Sequence, residues 1–458
     1  MLVRVPSIAF RGISAESVTV EVNISNRGLP YFDIVGLPAK TIDESKHRIK
    51  AAFQNSDIKF PDKKITINLA PADIQKEGSF YDLPIALGIY CADRGVEVPE
   101  KSLFFGEVSL DGSLRHSKGG FLLSVFAKES GCKNVFVPKD CVNEASSVSG
   151  VSVFPVSNLS SLFKYVEGTE DIFPSKHRKI TKSFQKYDTS LLNSVVGQGY
   201  VKRALQVAAA GGHNILLIGP PGSGKSLLSK AFAKLLPPLS EKESIEVTKI
   251  YSSVGMIPPK GSLVSERPFR SPHHTISYAG MIGGGSKITP GEITLAHRGV
   301  LFMDEFSEFH RPVLESLRQP MEEGYVTISR SRGSCTFPSR FMLIAASNPC
   351  PCGYYGHKDI ECKCSEAQIK KYQKKLSGPI MDRIDICVQV ESVKTGDLKV
   401  SNLQKAGSLR NKDNDDLVKS IINVRKIQQL RFKKEDIFTN SEMSNSHISK
   451  YVAISREA

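Results

Sequence analysis

Gly219-Pro220-Pro221-Gly222-Ser223-Gly224-Lys225-Ser226 decides the reading of this chain. It fits G-x-x-x-x-G-K-[ST] and sits in the context that motif requires. The run His213-Asn214-Ile215-Leu216-Leu217-Ile218 precedes it and reads as a buried strand. Lys225 to Leu236 follows and reads as a helix. Strand, glycine loop and helix make the first unit of a parallel α/β sheet. The glycines let backbone N–H groups point into the loop. The positive helix end favours the same anion, so the loop cradles phosphates. Lys225 then reaches the β- and γ-phosphates, and the Ser226 hydroxyl ligates Mg²⁺. ATP and Mg²⁺ are the cofactors this predicts.

Two further apolar runs extend the sheet. Val300-Leu301-Phe302-Met303 ends in Asp304-Glu305. Asp304 fits the acid on the Mg²⁺ side, and Glu305 fits the base that polarises the attacking water. The bland alternative is a solvated strand end. Phe341-Met342-Leu343-Ile344-Ala345-Ala346 runs into Ser347-Asn348-Pro349. Asn348 either orients water near the γ-phosphate or caps a loop. Arg383, in Met381-Asp382-Arg383-Ile384-Asp385, is read as the arginine that stabilises transition-state charge on a neighbouring subunit's nucleotide. A plain salt bridge with Asp382 or Asp385 is its alternative.

The whole chain has 458 residues, enough for two to four domains at roughly 100–200 residues each. Its composition, 40% hydrophobic and 24% charged, excludes a wholly disordered chain. The net charge is +14, with +1 in residues 1–165 and +13 in residues 166–458. An anionic partner such as nucleic acid or nucleotide is therefore expected in the second part. No run approaches the roughly 18 apolar residues of a spanning helix, so no membrane role is expected. No signal peptide is read at the start, which places the protein in the cytoplasm. Nine cysteines, four of them clustered, argue for reduced thiols and a metal site over a secreted disulfide framework.

Before the motif, residues 1–165 mix strand and helix patterns as a compact α+β unit. Ser17 to Val22 and Lys64 to Leu69 alternate with period two, while Lys46 to Asn55 and Leu83 to Cys91 read as helices. Residues 166–190 read as a polar linker carrying the basic run Lys176-His177-Arg178-Lys179. Residues 191–391 form the α/β nucleotide unit. In residues 392–458, Asp415 to Lys434 is a long helix candidate.

The four nucleotide elements, in this order, resemble AAA+ ATPases. Arg267-Pro268-Phe269-Arg270-Ser271-Pro272-His273-His274-Thr275, Gly283-Gly284-Gly285 and Pro290-Gly291-Glu292-Ile293-Thr294-Leu295-Ala296-His297 narrow the match. So do Asn348-Pro349-Cys350-Pro351-Cys352-Gly353, Asp33 to Pro38 and Asn68 to Asp73. Together they resemble the magnesium-chelatase-like ATPases of the ComM/YifB group over nearly the whole chain. The resemblance implies an N-terminal domain with the Lon-protease or ribosomal S5 domain 2 fold, an AAA+ α/β core, and a partial C-terminal helical lid. It also implies a ring, usually hexameric, and a role in DNA processing; ComM members are branch-migration helicases in natural transformation. Two departures stand out. Phe80 and Leu122 fall where Lon-like proteases carry nucleophile and base, so no protease chemistry is expected. Family members also continue past Tyr451 into a segment with a nucleotide-sensing arginine, so the chain reads as truncated there.

Cys350-x-Cys352 and Cys362-x-Cys364 offer four thiolates, which suit tetrahedral Zn²⁺; reduced structural cysteines are the alternative. Val326 to Phe337 alternates on both sides of Arg332-Gly333 and reads as a β-hairpin with a basic tip. In AAA+ rings with this insertion, such a hairpin points into the pore, where Arg330 and Arg332 would contact DNA phosphates. Arg270, His273 and His274 would touch DNA or the neighbouring subunit, or serve as scaffold. Arg425, Gln428 and Arg431 at helical spacing fit either a lid helix or a solvated basic face. A magnesium-chelatase-like motor for metal insertion and a protein unfoldase are the rival functions.

Overall fold

The computed structural model describes residues 1–177, 190–195, 197–257, 263–285, 288–330, 333–375, 378–392, 400–435 and 437–452. They divide into two compact units. One comprises Met1–Lys182 with Ser244–Val264, and the other Ser183–Glu243 with Ser265–Ala458. Among the described residues, no helix is long and apolar enough to cross a membrane.

In the first unit a four-stranded sheet joins β1 (Leu2–Arg11), β2 (Ser14–Ser25), β3 (Tyr31–Val35) and β4 (Lys64–Ala70) in the order β1-β2-β4-β3. Alternation sets which face is buried. Val18, Val20, Val22 and Ile24 of β2 point into the core, with Thr19, Glu21 and Asn23 between them. A parallel sheet of β5 (Ser102–Phe104), β8 (Asn134–Pro138) and β9 (Ser152–Val156) shares that core. The short pair β6 (Glu107–Val108) and β7 (Leu114–Arg115) stands apart. The helix Asp82–Arg94 is apolar nearly all round because it is buried nearly all round.

Phe80 and Leu122, expected at the dyad positions, sit in apolar surroundings. Phe80 stacks on Phe105 with ring centroids 4.6 Å apart, and Leu122 is buried. Ser79 donates its hydroxyl hydrogen to Glu107. A buried ion pair ties two helices together. Arg48 Nε and Nη2 donate to Asp82 Oδ2 and Oδ1 at 2.9 and 3.0 Å, and the Val108 N–H adds a third bond at 3.2 Å. Burial still pushes the Asp82 carboxyl above its ordinary value. Arg48→Ala would leave that carboxylate buried and unpaired. We expect the unfolding free energy of this unit to fall by ~3–5 kcal/mol in a denaturant titration.

The first half of the expected linker is structured. Glu167 accepts from the Tyr90 hydroxyl, Ser175 N–H donates to Val153 O at 2.7 Å, and His177 Nδ1 lies 2.9 Å from Ser146 O. Arg178, Lys179 and the rest of that segment to residue 189 lie outside the described residues. Residues Ser244–Val264 also group with this unit, though nothing in the sequence marks a break there. Ser252 Oγ donates to the buried Glu144, and Leu263 packs with Phe121 and Val148.

In the second unit the main sheet has five parallel strands. They are β10 (Ile215–Ile218), β11 (Phe269–Arg270), β14 (Val300–Met303), β17 (Met342–Ser347) and β18 (Ile386–Gln389). Their order is β11-β14-β17-β10-β18. Burial on both faces explains why the central strands are continuous apolar runs and not alternating ones. Two small hairpins also belong to this unit. One is β12 (Gly283–Gly284) with β13 (Thr289–Pro290), and the other β15 (Tyr325–Arg330) with β16 (Gly333–Pro338).

The helix Val400–Arg431 is longer than its sequence pattern predicts and places Val418 and Ile421 in the core. Arg425, Gln428 and Arg431 are not a solvated face; Arg431 bonds Asn440 Oδ1 at 3.1 Å. Arg425 donates to Ala209 O, and Gln428 to Ala210 O, so both satisfy carbonyls at the C-terminal end of the helix Gly199–Gly211. Burial lowers the Arg425 guanidinium to about 10.

Candidate nucleotide site

The register of the parallel strands assembles the site. Ile218 pairs with Ser347, which sets Gly219 level with Asn348. Met303 pairs with Ala345, which brings Asp304 to the same edge of the sheet. All are at the C-terminal ends of their strands, where open α/β sheets bind ligands.

The loop has the shape its glycines predict. Gly222 and Gly224 take φ of +77° and +86°, and a Cβ at either would meet nothing within 4 Å. The space above the loop is thus open to a phosphate chain. Ser223 Oγ is buried there without a hydrogen-bond partner, a polar atom that a phosphate oxygen would satisfy. Lys225 opens the helix Lys225–Leu235 and is folded back onto the loop. Its ammonium donates to Gly219 O at 2.7 Å, Pro220 O at 2.8 Å and Asn348 Oδ1 at 3.2 Å. Burial lowers its proton affinity, opposed by the charge of Asp304. Ser226 Oγ donates to Asp304 Oδ2 at 2.6 Å, so the two expected Mg²⁺ groups already adjoin. This donor set fits a magnesium nucleotide: a hydroxyl and a carboxylate for a hard cation, a lysine and loop N–H groups for the phosphates.

Glu305 follows with φ +51°, in the left-handed region. Its carboxylate is turned to His274, whose Nδ1 lies 3.0 Å from Oε2. No sequence pattern marks this pairing, because the two residues come from different strand ends. Arg270, expected among the DNA contacts, is engaged elsewhere: its Nε and Nη2 each bind Glu292 at 2.6 Å. Arg383 is not at this end of the sheet. It immediately precedes β18, on the opposite edge from Gly219, and pairs with Glu322 rather than with Asp382 or Asp385. Asp385 instead accepts from the Asn214 N–H at 2.9 Å.

The four clustered cysteines converge. Their sulfurs lie within 4.8 Å of one another, with Cys350 to Cys352 at 3.4 Å and Cys352 to Cys362 at 3.5 Å. Zn–S bonds of about 2.3 Å in a tetrahedron put sulfurs about 3.8 Å apart, so the set fits the ion. The Tyr355 N–H points at Cys350 Sγ and the Cys352 N–H at Cys364 Sγ, as thiolates require. The cysteine loop also buttresses the phosphate loop: a Cβ at Gly353 would lie 2.5 Å from Pro221 Cδ. Between the two loops opens a cavity of about 430 Å³, lined by Gly219, Asn348, Tyr355, His357 and Val390.

The two hairpins of the second unit touch. A Cβ at Gly283 would sit 2.9 Å from Ile328 Cδ1, and one at Gly284 3.3 Å from Arg330 Nη2. Arg330 is exposed, pairing across the ladder with Gly333; Arg332 lies outside the described residues.

Comparison with known proteins agrees with this geometry. A family model described as magnesium chelatase, subunit ChlI, matches residues 191–398, and one described as subunit ChlI of Mg-chelatase matches residues 20–141. Competence protein ComM of Haemophilus influenzae is 38% identical over 445 residues, 95% of this chain and 84% of the relative. The Salmonella typhimurium protein YifB, described as uncharacterized, is 38% identical over 97% of this chain and 84% of its own length. The magnesium-chelatase 38 kDa subunit of Rhodobacter capsulatus is 28% identical over 34% of this chain and 49% of that subunit. Such relatives support an ATPase using ATP and Mg²⁺. The chain belongs to the ComM/YifB family of magnesium-chelatase-like AAA+ ATPases.

Proposed function

We propose that this ATPase is a ring-forming motor that acts on DNA and migrates branched or displaced-strand structures. Lys225, Ser226, Asp304, Glu305 and Asn348 serve one nucleotide, and Arg383 serves the nucleotide of the next subunit. The observation that carries the DNA reading is the pair of packed hairpins with the exposed Arg330 on one of them. An unfoldase would favour an aromatic residue there, because it grips side chains and not phosphates. The competence name of the Haemophilus relative supports the same reading.

The test is the ATPase rate with and without single-stranded or four-way branched DNA. Stimulation is expected; an unchanged rate together with no retention of DNA at low salt sinks the proposal. Arg330→Ala and Arg332→Ala together should weaken DNA binding and reduce the slope of log K against log salt by about 2, one unit for each phosphate no longer neutralised. An unaltered slope removes both residues from the grip.

We also infer that Cys350, Cys352, Cys362 and Cys364 hold one zinc ion. Metal analysis of protein purified under reducing conditions should give a stoichiometry near one. Replacing Cys352 and Cys362 by Ser should abolish it and weaken ATP binding, since the cysteine loop leans on Pro221. A stoichiometry near zero in the unaltered protein refutes the site.

A further inference from the structure

We propose that the helix Glu366–Lys375 is a second DNA-binding surface, whose four lysines grip backbone phosphates independently of the hairpins. Its partner rests on the DNA reading above; its place in the fold does not.

The helix follows the cysteine loop and is ten residues long. Lys370, Lys371, Lys374 and Lys375 stand at i, i+1, i+4 and i+5. At about 100° per residue they fall within an arc of about 140°. Ile369 and Tyr372, only 8% and 7% exposed, lie outside that arc. One face of the helix is therefore inside the fold, and the other carries lysine. The two lysine pairs are about 6 Å apart along the axis, close to the advance of two nucleotides at about 3.4 Å each.

Little in the fold uses these charges. Glu366 is the one acid in the helix, and it lies 3.8 Å from Lys370 with both side chains exposed. Glu308 lies 3.8 Å from Lys375. Exposed pairs of this kind contribute about 0–1 kcal/mol. Lys374 and Lys375 stand in the last turn, where they oppose the helix dipole. Lys370 and Lys371 are a turn earlier and have no such role. Lys363, between Cys362 and Cys364, is set apart: it offsets the surplus negative charge of four thiolates on one Zn²⁺.

The lysine face suits DNA better than a protein. A protein interface has an apolar centre. Besides the lysines, the exposed residues of this helix are Glu366, Ala367, Gln368 and Gln373, none of them a large apolar side chain. Lysine is a compact point charge on a flexible stem, fit for phosphates contacted without reading sequence.

The surface is also rigidly mounted. Ser365 and Gln368 form a capping box: Ser365 N–H donates to Gln368 Oε1 at 3.0 Å, and Gln368 N–H donates to Ser365 Oγ at 3.4 Å. On the buried side the Tyr372 hydroxyl accepts from Ser307 Oγ, and Ser347 Oγ lies 3.2 Å from Ser307 Oγ. Ser347 precedes Asn348, which touches Lys225. The lysine face is thus fixed to the strand ends that carry the nucleotide site.

The experiment follows the anisotropy of a labelled single-stranded DNA titrated with the full chain over a range of salt. Three variants are compared with the unaltered protein. One carries Lys370→Gln and Lys371→Gln, one has all four lysines of the helix replaced by Gln, and one carries Arg330→Ala and Arg332→Ala. Glutamine has nearly the helix propensity of lysine, so the helix is kept. At about 0.7 per phosphate on a single strand, the slope of log K against log salt should fall by about 1.4 for two lysines and about 3 for four. That gradation separates lost charge from a lost fold, which would give both variants the same defect. An unaltered slope in the fourfold variant, or an equal loss from two lysines and from four, overturns the surface. A parallel titration uses polyglutamate as a stand-in for an acidic protein. Loss of polyglutamate binding with an unaltered DNA slope would assign the face to a protein partner and overturn the proposal. If the unaltered protein retains no DNA at low salt, the DNA reading and this surface fail together. If it binds DNA and only the arginine variant loses slope, the DNA reading stands and the surface fails. If only the lysine variants lose slope, the surface stands and the hairpin grip fails.

Discussion

Glu305→Gln is expected to lower ATP turnover by about 10²–10⁴-fold while leaving ATP binding nearly intact, the effect of removing a general base. The phosphate loop, Lys225 and the Ser226–Asp304 pair are untouched by this change. Glutamine keeps the size of the side chain and can still accept a hydrogen bond from His274. It cannot take a proton from water. Equilibrium binding of a fluorescent ATP analogue and the steady-state rate together check the outcome. Binding and turnover falling in proportion would mean that Glu305 holds the nucleotide and is not the base. Lys225→Ala is the opposite control, because it removes a cation from the phosphates and should lose binding.

Arg383→Ala should cost about 10³–10⁵-fold in kcat if its guanidinium stabilises transition-state charge. Its position allows a complementation test. Gly219 and Arg383 stand at opposite ends of a parallel sheet, so no subunit presents its own arginine to its own nucleotide. An inactive Arg383→Ala protein mixed with an inactive Lys225→Ala protein should therefore regain activity. With random mixing at equal amounts, about a quarter of the sites pair an intact loop with an intact arginine, so about a quarter of the normal rate is expected. No recovery on mixing would confine Arg383 to its pairing with Glu322.

The strands carrying the site were legible because burial on both faces leaves an apolar run that few other structures produce. Val300 to Met303 is read to the residue, and the hairpin from Val326 to Phe337 forms, with Val326 opposite Phe337 and Gly333, expected at its tip, already paired with Arg330 in the second strand. Groups acting within a few residues of the motif were legible for the same reason: spacing fixes them. What stayed hidden depends on approach in space. Nothing local marks Glu322 as the partner of Arg383, Glu292 as the partner of Arg270, or His274 as the partner of Glu305. The lid helix shows the same limit. Arg425 at helical spacing looks solvent-facing until a second helix end, at Ala209, supplies carbonyls for it to satisfy. Residues 244–264 left no trace of their grouping with the first unit, because a helix that changes neighbours keeps its periodicity.

If Arg383 serves a neighbour's nucleotide, the polarity of the sheet also bears on symmetry. A subunit with its loop at one end and its arginine at the other has two unlike faces. A two-fold dimer made through only one of these faces would set like against like and complete neither site. Only head-to-tail association joins a loop to an arginine, and repetition of that contact either closes into a cyclic ring or grows as an open filament. An open assembly always leaves one loop without an arginine and one arginine without a loop. A closed ring would leave none, so on this reading closure itself would bring the last site into use.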